Sequence, residues 1–294
     1  MFFSAIPASR RLNLFPSPLT CNTDGMLDYV PRRVVSLQPS ATVILRDLGR
    51  LDCLVACTKY CAEVCPEVCG KTAIVADSWT AQSRQISEAR PDLVIAAVPY
   101  QEKSVAEILK SGARFLGLAP KSLADIYGDI AAIAGIMDDR GEGLRVIEQM
   151  RAAIDAIGKR TERLPRPRVF CEEWGKPLIA SQLWVAELVE AAGGEFIGKP
   201  GAQTDAAAVE AAAPEILIAA WCGAGDRVPL EKIIAKPKWG NIPAVRNGRV
   251  YCIRDEYLNT PAPTLISGLH ALAAAIHPEV FPQAVGLRCI NSSA

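Results

Sequence analysis

The sequence predicts an α/β protein: two βα lobes with parallel-type sheets, joined by one long connecting helix, with a ligand cleft between the lobes. Three observations carry this. From Ser122 to about Arg163, apolar residues recur at three- and four-residue spacing, which is helical amphipathicity. On either side, short β-rich apolar runs alternate with helical patterns, the signature of parallel sheets. The run Pro91-Asp92-Leu93-Val94-Ile95-Ala96-Ala97 in the first half returns as Pro214-Glu215-Ile216-Leu217-Ile218-Ala219-Ala220 in the second.

The central helical stretch divides in two. Leu123, Ile126, Tyr127, Ile130, Ile133, Ala134 and Met137 line one piece, and Leu144, Ile147, Met150, Ile154 and Ile157 line the next, with Asp138-Asp139-Arg140-Gly141 between them. Ser122 and Asp125 form an N-cap pair, and Asp139 is placed to cap the second helix. Lys159, Arg160 and Arg163 suit the negative C-terminus, and Pro165-Arg166-Pro167 stops the helix. At 1.5 Å per residue the second piece spans roughly 30 Å, enough to act as a stiff strut. The expected division is a leader at 1–26, a first lobe at 27–138, the connecting helix at 139–164, a second lobe at 165–282 and a tail at 283–294.

In the first lobe, 33–37 reads as a strand, Gln38-Pro39-Ser40 as its turn, and 41–48 as a helix. Strands follow at 51–58, 91–97 and 114–117, with helices at 86–89 and 105–111. Ligands on such sheets sit beyond the carboxyl ends of the strands. The ligand loops are therefore 38–40, 59–71, 99–102 and 119–121.

The loop after the second strand, CLVACTKYCAEVCPEVCG, places Cys53, Cys57, Cys61, Cys65 and Cys69 at every fourth residue. Pro66 prevents one continuous helical face. Cys53 and Cys57 share parity on a strand, and Cys61, Cys65 and Cys69 fall in the loop. Two readings stay open: small buried hydrophobes, or thiolate ligands to a metal or cluster. The spacing matches no standard zinc or ferredoxin pattern.

In the second lobe, Val169-Phe170-Cys171-Glu172-Glu173-Trp174 is a strand with an acidic, aromatic end. Helices are expected at 184–192, 206–213, 229–235 and 264–276, and further strands at 214–220 and 250–253. By the strand-end rule Glu172, Glu173, Trp174, Trp184, Cys222 and Tyr257 face the cleft, although only one of two adjacent glutamates can do so. Trp174 and Trp184 are open to stacking on a flat macrocycle or to ordinary packing. Trp79, Trp221 and Trp239 read as core or lobe-edge residues, and His270 and His277 as structural.

Of 294 residues half are apolar, and 32 basic residues balance 32 acidic ones. Nothing here favours nucleic acid, and no apolar run reaches the ~18 residues of a membrane span. The first 25 residues show no continuous apolar stretch of a secretory signal, so a cytoplasmic, reducing location is expected, with a periplasmic or surface-anchored one if the start lies elsewhere. There is no paired-carboxylate site, phosphate loop or nucleophile–base arrangement.

The ordered segments RVVSLQPSATVIL, PDLVIAA, LWVAELVEAAGG, PEILIAAWCG, WGNIPAVRNGRVY and NTPAPTLISGLHALAAAIHPE resemble the substrate-binding proteins of ABC importers for cobalamin and ferric siderophores, over about residues 32–282. A subgroup lacking an export signal is the most similar, through Cys61 in a Cys-x-x-x-Pro loop and through Cys222-Gly223. The resemblance implies a corrinoid or iron chelate, and ligand-facing positions at Pro39, Ser40, Tyr60, Cys61, Pro99, Tyr100, Trp174, Trp184, Cys222 and Gly223. It also implies an ABC permease partner for an exported chain, docking through Glu102 or Glu107 on one lobe and Glu210 on the other. The sequence departs from the pattern at Thr264, where an Arg is expected. The alternative expectation is a cytosolic zinc or iron–sulfur protein, with Cys61, Cys65, Cys69, Cys171 and Cys222 as candidate ligands.

Overall fold

The computed structural model describes residues 29–97 and 101–290. In the first lobe β1 (Val34–Ser36), α1 (Pro39–Asp47), β2 (Leu54–Thr58), α2 (Lys59–Val64), β3 (Ala73–Val75), α3 (Ser83–Glu88), β4 (Leu93–Ala97), α4 (Glu102–Lys110) and β5 (Arg114–Leu118) follow one another. The five strands form one sheet in the order β3-β2-β1-β4-β5, every pairing parallel. The central strands β1, β2 and β4 are short, apolar and buried on both faces, as the middle of a parallel sheet requires, while the edge strands β3 and β5 are partly exposed.

Two helices then cross between the lobes: α5 (Leu123–Ile136) and α6 (Arg140–Thr161). Ser122 and Asp125 close a reciprocal capping box at the start of α5. Asp139 precedes α6 but does not cap it with its side chain. Its carboxylate is taken instead by Arg50, whose guanidinium also donates to the Met137 carbonyl. The 22 residues of α6 correspond to about 33 Å. Gly143 lets α6 close on α5, since a Cβ there would stand 2.4 Å from that of Ala134.

The second lobe contains β6 (Arg168–Gly175), β7 (Leu178–Ala180), α7 (Leu183–Ala191), β8 (Glu195–Phe196), α8 (Ala206–Ala212), β9 (Ile216–Ala219), α9 (Leu230–Ile234), α10 (Pro243–Arg246), β10 (Val250–Ile253), α11 (Asp255–Asn259), α12 (Leu265–Ile276) and β11 (Leu287–Cys289). The sheet runs β11-β10-β9-β6-β7, with β8 beside β6. Its centre is parallel, and its edges β7 and β11 are antiparallel. The segment after Pro282, read from sequence as a tail, supplies edge strand β11.

Three apolar clusters hold this together. One lies on the α3/α4 face of the first sheet and one on the α8–α10 face of the second. The third is continuous across both lobes: it joins α1 and the other face of the first sheet, through α5 and α6, to α7, α12 and the second sheet. The lobes share this core, and Glu187 on α7 accepts the Leu123 backbone N–H at 2.7 Å. The continuous core fixes the two lobes against each other.

Two local expectations are corrected. Residues 51–53 form a tight helical turn, so Cys53 shares no strand face with Cys57. Cys61 lies not in an open loop but in the first turn of α2, where Thr58 caps its N–H.

Candidate functional site

At the first lobe's strand tips, polar side chains tie neighbouring loops together. Ser36 donates to the Gln38 carbonyl and accepts from Thr42, both at 2.9 Å. Thr58 accepts the Cys61 N–H and donates to its Sγ. Beyond β3, Asp77 accepts from the backbone of Trp79 and Thr80 and from the Thr80 hydroxyl. Ser78 reaches the Leu37 carbonyl and Ser104 the Trp79 carbonyl. This turn holds Trp79 rigidly while leaving its side chain 48 % exposed. Tyr60 is 37 % exposed at the tip of β2, with the Lys59 ammonium 4.8 Å from its ring centre.

The second lobe uses charge. Strand alternation separates the adjacent glutamates. Glu172 turns inward, ion-paired with Lys236 at 2.6 Å and accepting the Trp221 indole N–H at 2.9 Å. Burial pushes its carboxyl up, and Lys236 partly offsets this. Glu173 accepts from the Gln182 amide at 2.8 Å and faces the Cys222 thiol at 3.9 Å. Asp255 accepts the backbone N–H of Gly223 at 2.7 Å and of Gly225 at 2.8 Å. Both glycines have positive φ, so the turn that offers these amides needs residues without a Cβ. Asn259 donates to the Ala220 carbonyl. The loop 220–225 is therefore fastened at five points, with Cys222 exposed on it.

The structure sorts the expected ligand positions. Tyr60, Trp174, Cys222 and Gly223 are exposed on strand tips, Trp174 at 42 % with its indole N–H on the Lys176 carbonyl. Pro39 is half-buried and Ser40 buried. Cys61 is fully buried beneath Tyr60. Trp184 is 8 % exposed and donates to the Leu258 carbonyl at 2.8 Å, so it packs α7 against the segment before α12. Pro99 and Tyr100 lie outside the described residues.

The proposed metal ligands are not brought together. Cys61, Cys65 and Cys171 are buried, Cys171 within strand β6, while Cys69 and Cys222 are exposed on different lobes. Among the described residues no three His, Cys, Asp or Glu side chains are placed to share a metal ion. Iron–sulfur or zinc chemistry is accordingly not favoured. Sequence reasoning missed Trp79, whose signal was the Asp-Ser-Trp-Thr turn beyond a strand. It also missed Lys236 and Gln182, which carry no local signal because their partners lie 64 and 9 residues away.

A 480 Å³ hollow lined by Tyr251, Pro282 and Val285 lies at the outer edge of the second sheet, away from the tips. A 340 Å³ hollow lies where the lobes meet beside α6, between Asp47, Gln149, Pro263 and Ile266.

The model of the periplasmic binding protein family matches residues 34–257. The chain belongs to this family. It is 26 % identical over 242 residues to the vitamin B12-binding protein of Vibrio vulnificus, covering 79 % of this chain and 85 % of that one. It is 22 % identical over 293 residues to an uncharacterised ABC transporter substrate-binding lipoprotein of Bacillus subtilis, covering 94 % and 90 %. Its fold resembles that of a periplasmic haem-binding protein from Pseudomonas aeruginosa, with TM-score 0.75 and 17 % identity over 90 % of this chain and all of that one. The expectation of a cytoplasmic protein is overturned by these findings. A family of periplasmic binding proteins, with a lipoprotein among the relatives, points to the periplasm or cell surface.

Proposed function

We propose that the protein captures a cobalamin-like corrinoid in the cleft between its lobes and hands it to an ABC permease. The observation that carries this is the set of exposed aromatic side chains on rigid strand tips from both lobes: Tyr60 and Trp79 on the first, Trp174 on the second. Aromatic faces give a flat macrocycle large apolar contact at little cost in side-chain freedom. The relationship to a vitamin B12-binding protein supports the same ligand. Amide and carboxylate groups on the second rim, Gln182, Glu173 and the Gly223 backbone, suit the polar amide periphery of a corrinoid. For docking on the first lobe we favour Glu102, because Glu107 is already engaged by Ser83 and Lys110.

The second reading is a haem or ferric chelate, favoured by the exposed phenol of Tyr60 and by the fold shared with the Pseudomonas protein. Neither histidine supports it: both belong to α12 or its C-terminal end, and His277 is buried against the Gly193 carbonyl. Calorimetric titration of the purified protein with cyanocobalamin and with ferric haem decides between them. Binding of one cyanocobalamin per chain, with weaker or no haem binding, is the expected result; haem binding alone establishes the second reading.

A further inference from the structure

Two thiols converge at the tip of β2. Cys57 is the strand's penultimate residue and pairs in register with Ser36 of β1. Cys61, one helical turn later in α2, places its Sγ 4.0 Å from the Ser36 hydroxyl and 3.8 Å from the Ser36 carbonyl. The two cysteines thus meet over one residue, Ser36, and both are fully buried. Thr72 contacts Cys57 at 3.3 Å and Thr58 contacts Cys61 at 3.2 Å. Cys57 and Cys61 are both free thiols. In a reducing compartment that would need no comment. In the periplasm or at the cell surface, adjacent thiols are driven toward disulfides.

We propose that Cys57 and Cys61 form a reversible disulfide by exchange with a disulfide-bearing oxidant. Cys61 is the attacking sulfur. Burial opposes its ionisation, but hydrogen bonds from Cys57, Thr42 and Thr58 outweigh burial and hold it below the ordinary thiol range, whereas Cys57 is pushed up. The Cys61 thiolate attacks one sulfur of the oxidant, whose S–S bond breaks to give a mixed disulfide and one released thiolate. That thiolate takes the Cys57 proton. The Cys57 sulfur then attacks Cys61 Sγ and expels the second thiolate, which picks up the proton lost earlier by Cys61. Two cysteine thiols are oxidised, and one disulfide is reduced to two thiols.

Access comes from α2 itself. It has six residues, and Lys59, Tyr60 and Glu63 on it are exposed. A helix of this length opens locally at low cost, which uncovers Cys61 without unfolding the lobe. Closure would tie Tyr60, between the two sulfurs in sequence, to the strand tip. The inference does not depend on which ligand the cleft takes.

The test is peptide mapping of the full chain after incubation with oxidised glutathione. Trypsin cuts after Arg50, Lys59 and Lys71, so a Cys57–Cys61 bond joins peptide 51–59 to peptide 60–71. The expected result is this linked species, with fragment ions assigning Cys57 to Cys61. It should disappear on reduction, be lost in Cys57→Ser and in Cys61→Ser, and persist in Cys65→Ser. Fully alkylated thiols after incubation, a glutathione adduct that stays on Cys61, or pairing of Cys61 with another cysteine would each overturn the proposal. The wild-type map alone decides, so misfolding of a variant does not obscure it.

Discussion

On the second lobe, carboxylates hold the rim formed by the strand tips: Glu172 against Lys236 and Trp221, Glu173 against Gln182, and Asp255 against two glycine amides. On the first lobe, Ser36, Thr42, Thr58 and Ser78 fasten the tips largely through neutral hydroxyl groups, with carboxylates from Asp77 and Glu67. The difference follows from the strands beneath. Strand β6 runs on to Gly175 and carries ionisable residues into the tip, whereas β1, β2 and β4 stop as soon as the sheet is apolar and buried. Neutral hydrogen bonds contribute about 1 kcal/mol each, but a buried charge deprived of its partner costs several times that. The second rim should therefore be the more brittle to substitution and the first the more tolerant.

The largest effect is expected from Lys236→Ala, which strands the Glu172 carboxylate inside the lobe. Urea denaturation should show a loss of about 3 kcal/mol, with Glu172→Gln losing roughly 1 kcal/mol because the buried charge is gone and the partly exposed Lys236 ammonium can be hydrated. Equal losses in the two variants would remove the charge-based account of this rim. Next comes Asp255→Ala, expected to cost about 2 kcal/mol for two hydrogen bonds to a carboxylate. It should also speed amide exchange at Gly223 and Gly225. Against these, Ser36→Ala on the first rim should cost about 1 kcal/mol. A larger loss than Asp255→Ala would reverse the ranking of the rims.

A carboxylate on neither rim sharpens the contrast. Asp129 on α5 is half-buried, and burial together with Asp125 pushes its carboxyl up to about 6 from an ordinary 3.8. Because the folded pKa is raised, the stabilisation it gives is full below 3.8 and is lost as pH rises through about 6. Asp129→Asn should accordingly gain about 1 kcal/mol at about pH 7.5, after allowance for partial exposure, and nothing near about pH 3.5. Thermal melts at the two pH values check this.

Much of the architecture was legible in the sequence because periodicity and capping are local. The repeated Pro-Asp/Glu-apolar run marked β4 and β9, and Ser122 with Asp125 marked the start of α5. The strand-end rule pointed to Tyr60, Trp174 and Cys222, and the structure leaves all three exposed just beyond strands. It failed for Trp184, because a helix next to a strand tip can still turn its aromatic residue inward, here onto the Leu258 carbonyl. It failed for Cys61 because the chain begins a helix at once after Thr58 and carries the thiol under the surface. The partners of Glu172 and Asp255 could not be read from sequence, since they join segments brought together only by the sheet. The residues at 98–100, where Pro99 and Tyr100 were expected to meet ligand, lie outside the described chain.

The central claim is that rigid aromatic side chains from both rims grip one flat ligand. Calorimetric titration of cyanocobalamin into the wild-type protein and into Trp79→Ala, Trp174→Ala and the double variant tests it most directly. Each single substitution should weaken binding about tenfold, the equivalent of about 1.4 kcal/mol. The double variant should lose about a hundredfold, since the two residues sit on different lobes and act independently. Full wild-type affinity in the double variant, or no cobalamin binding by the wild-type protein, would contradict the account.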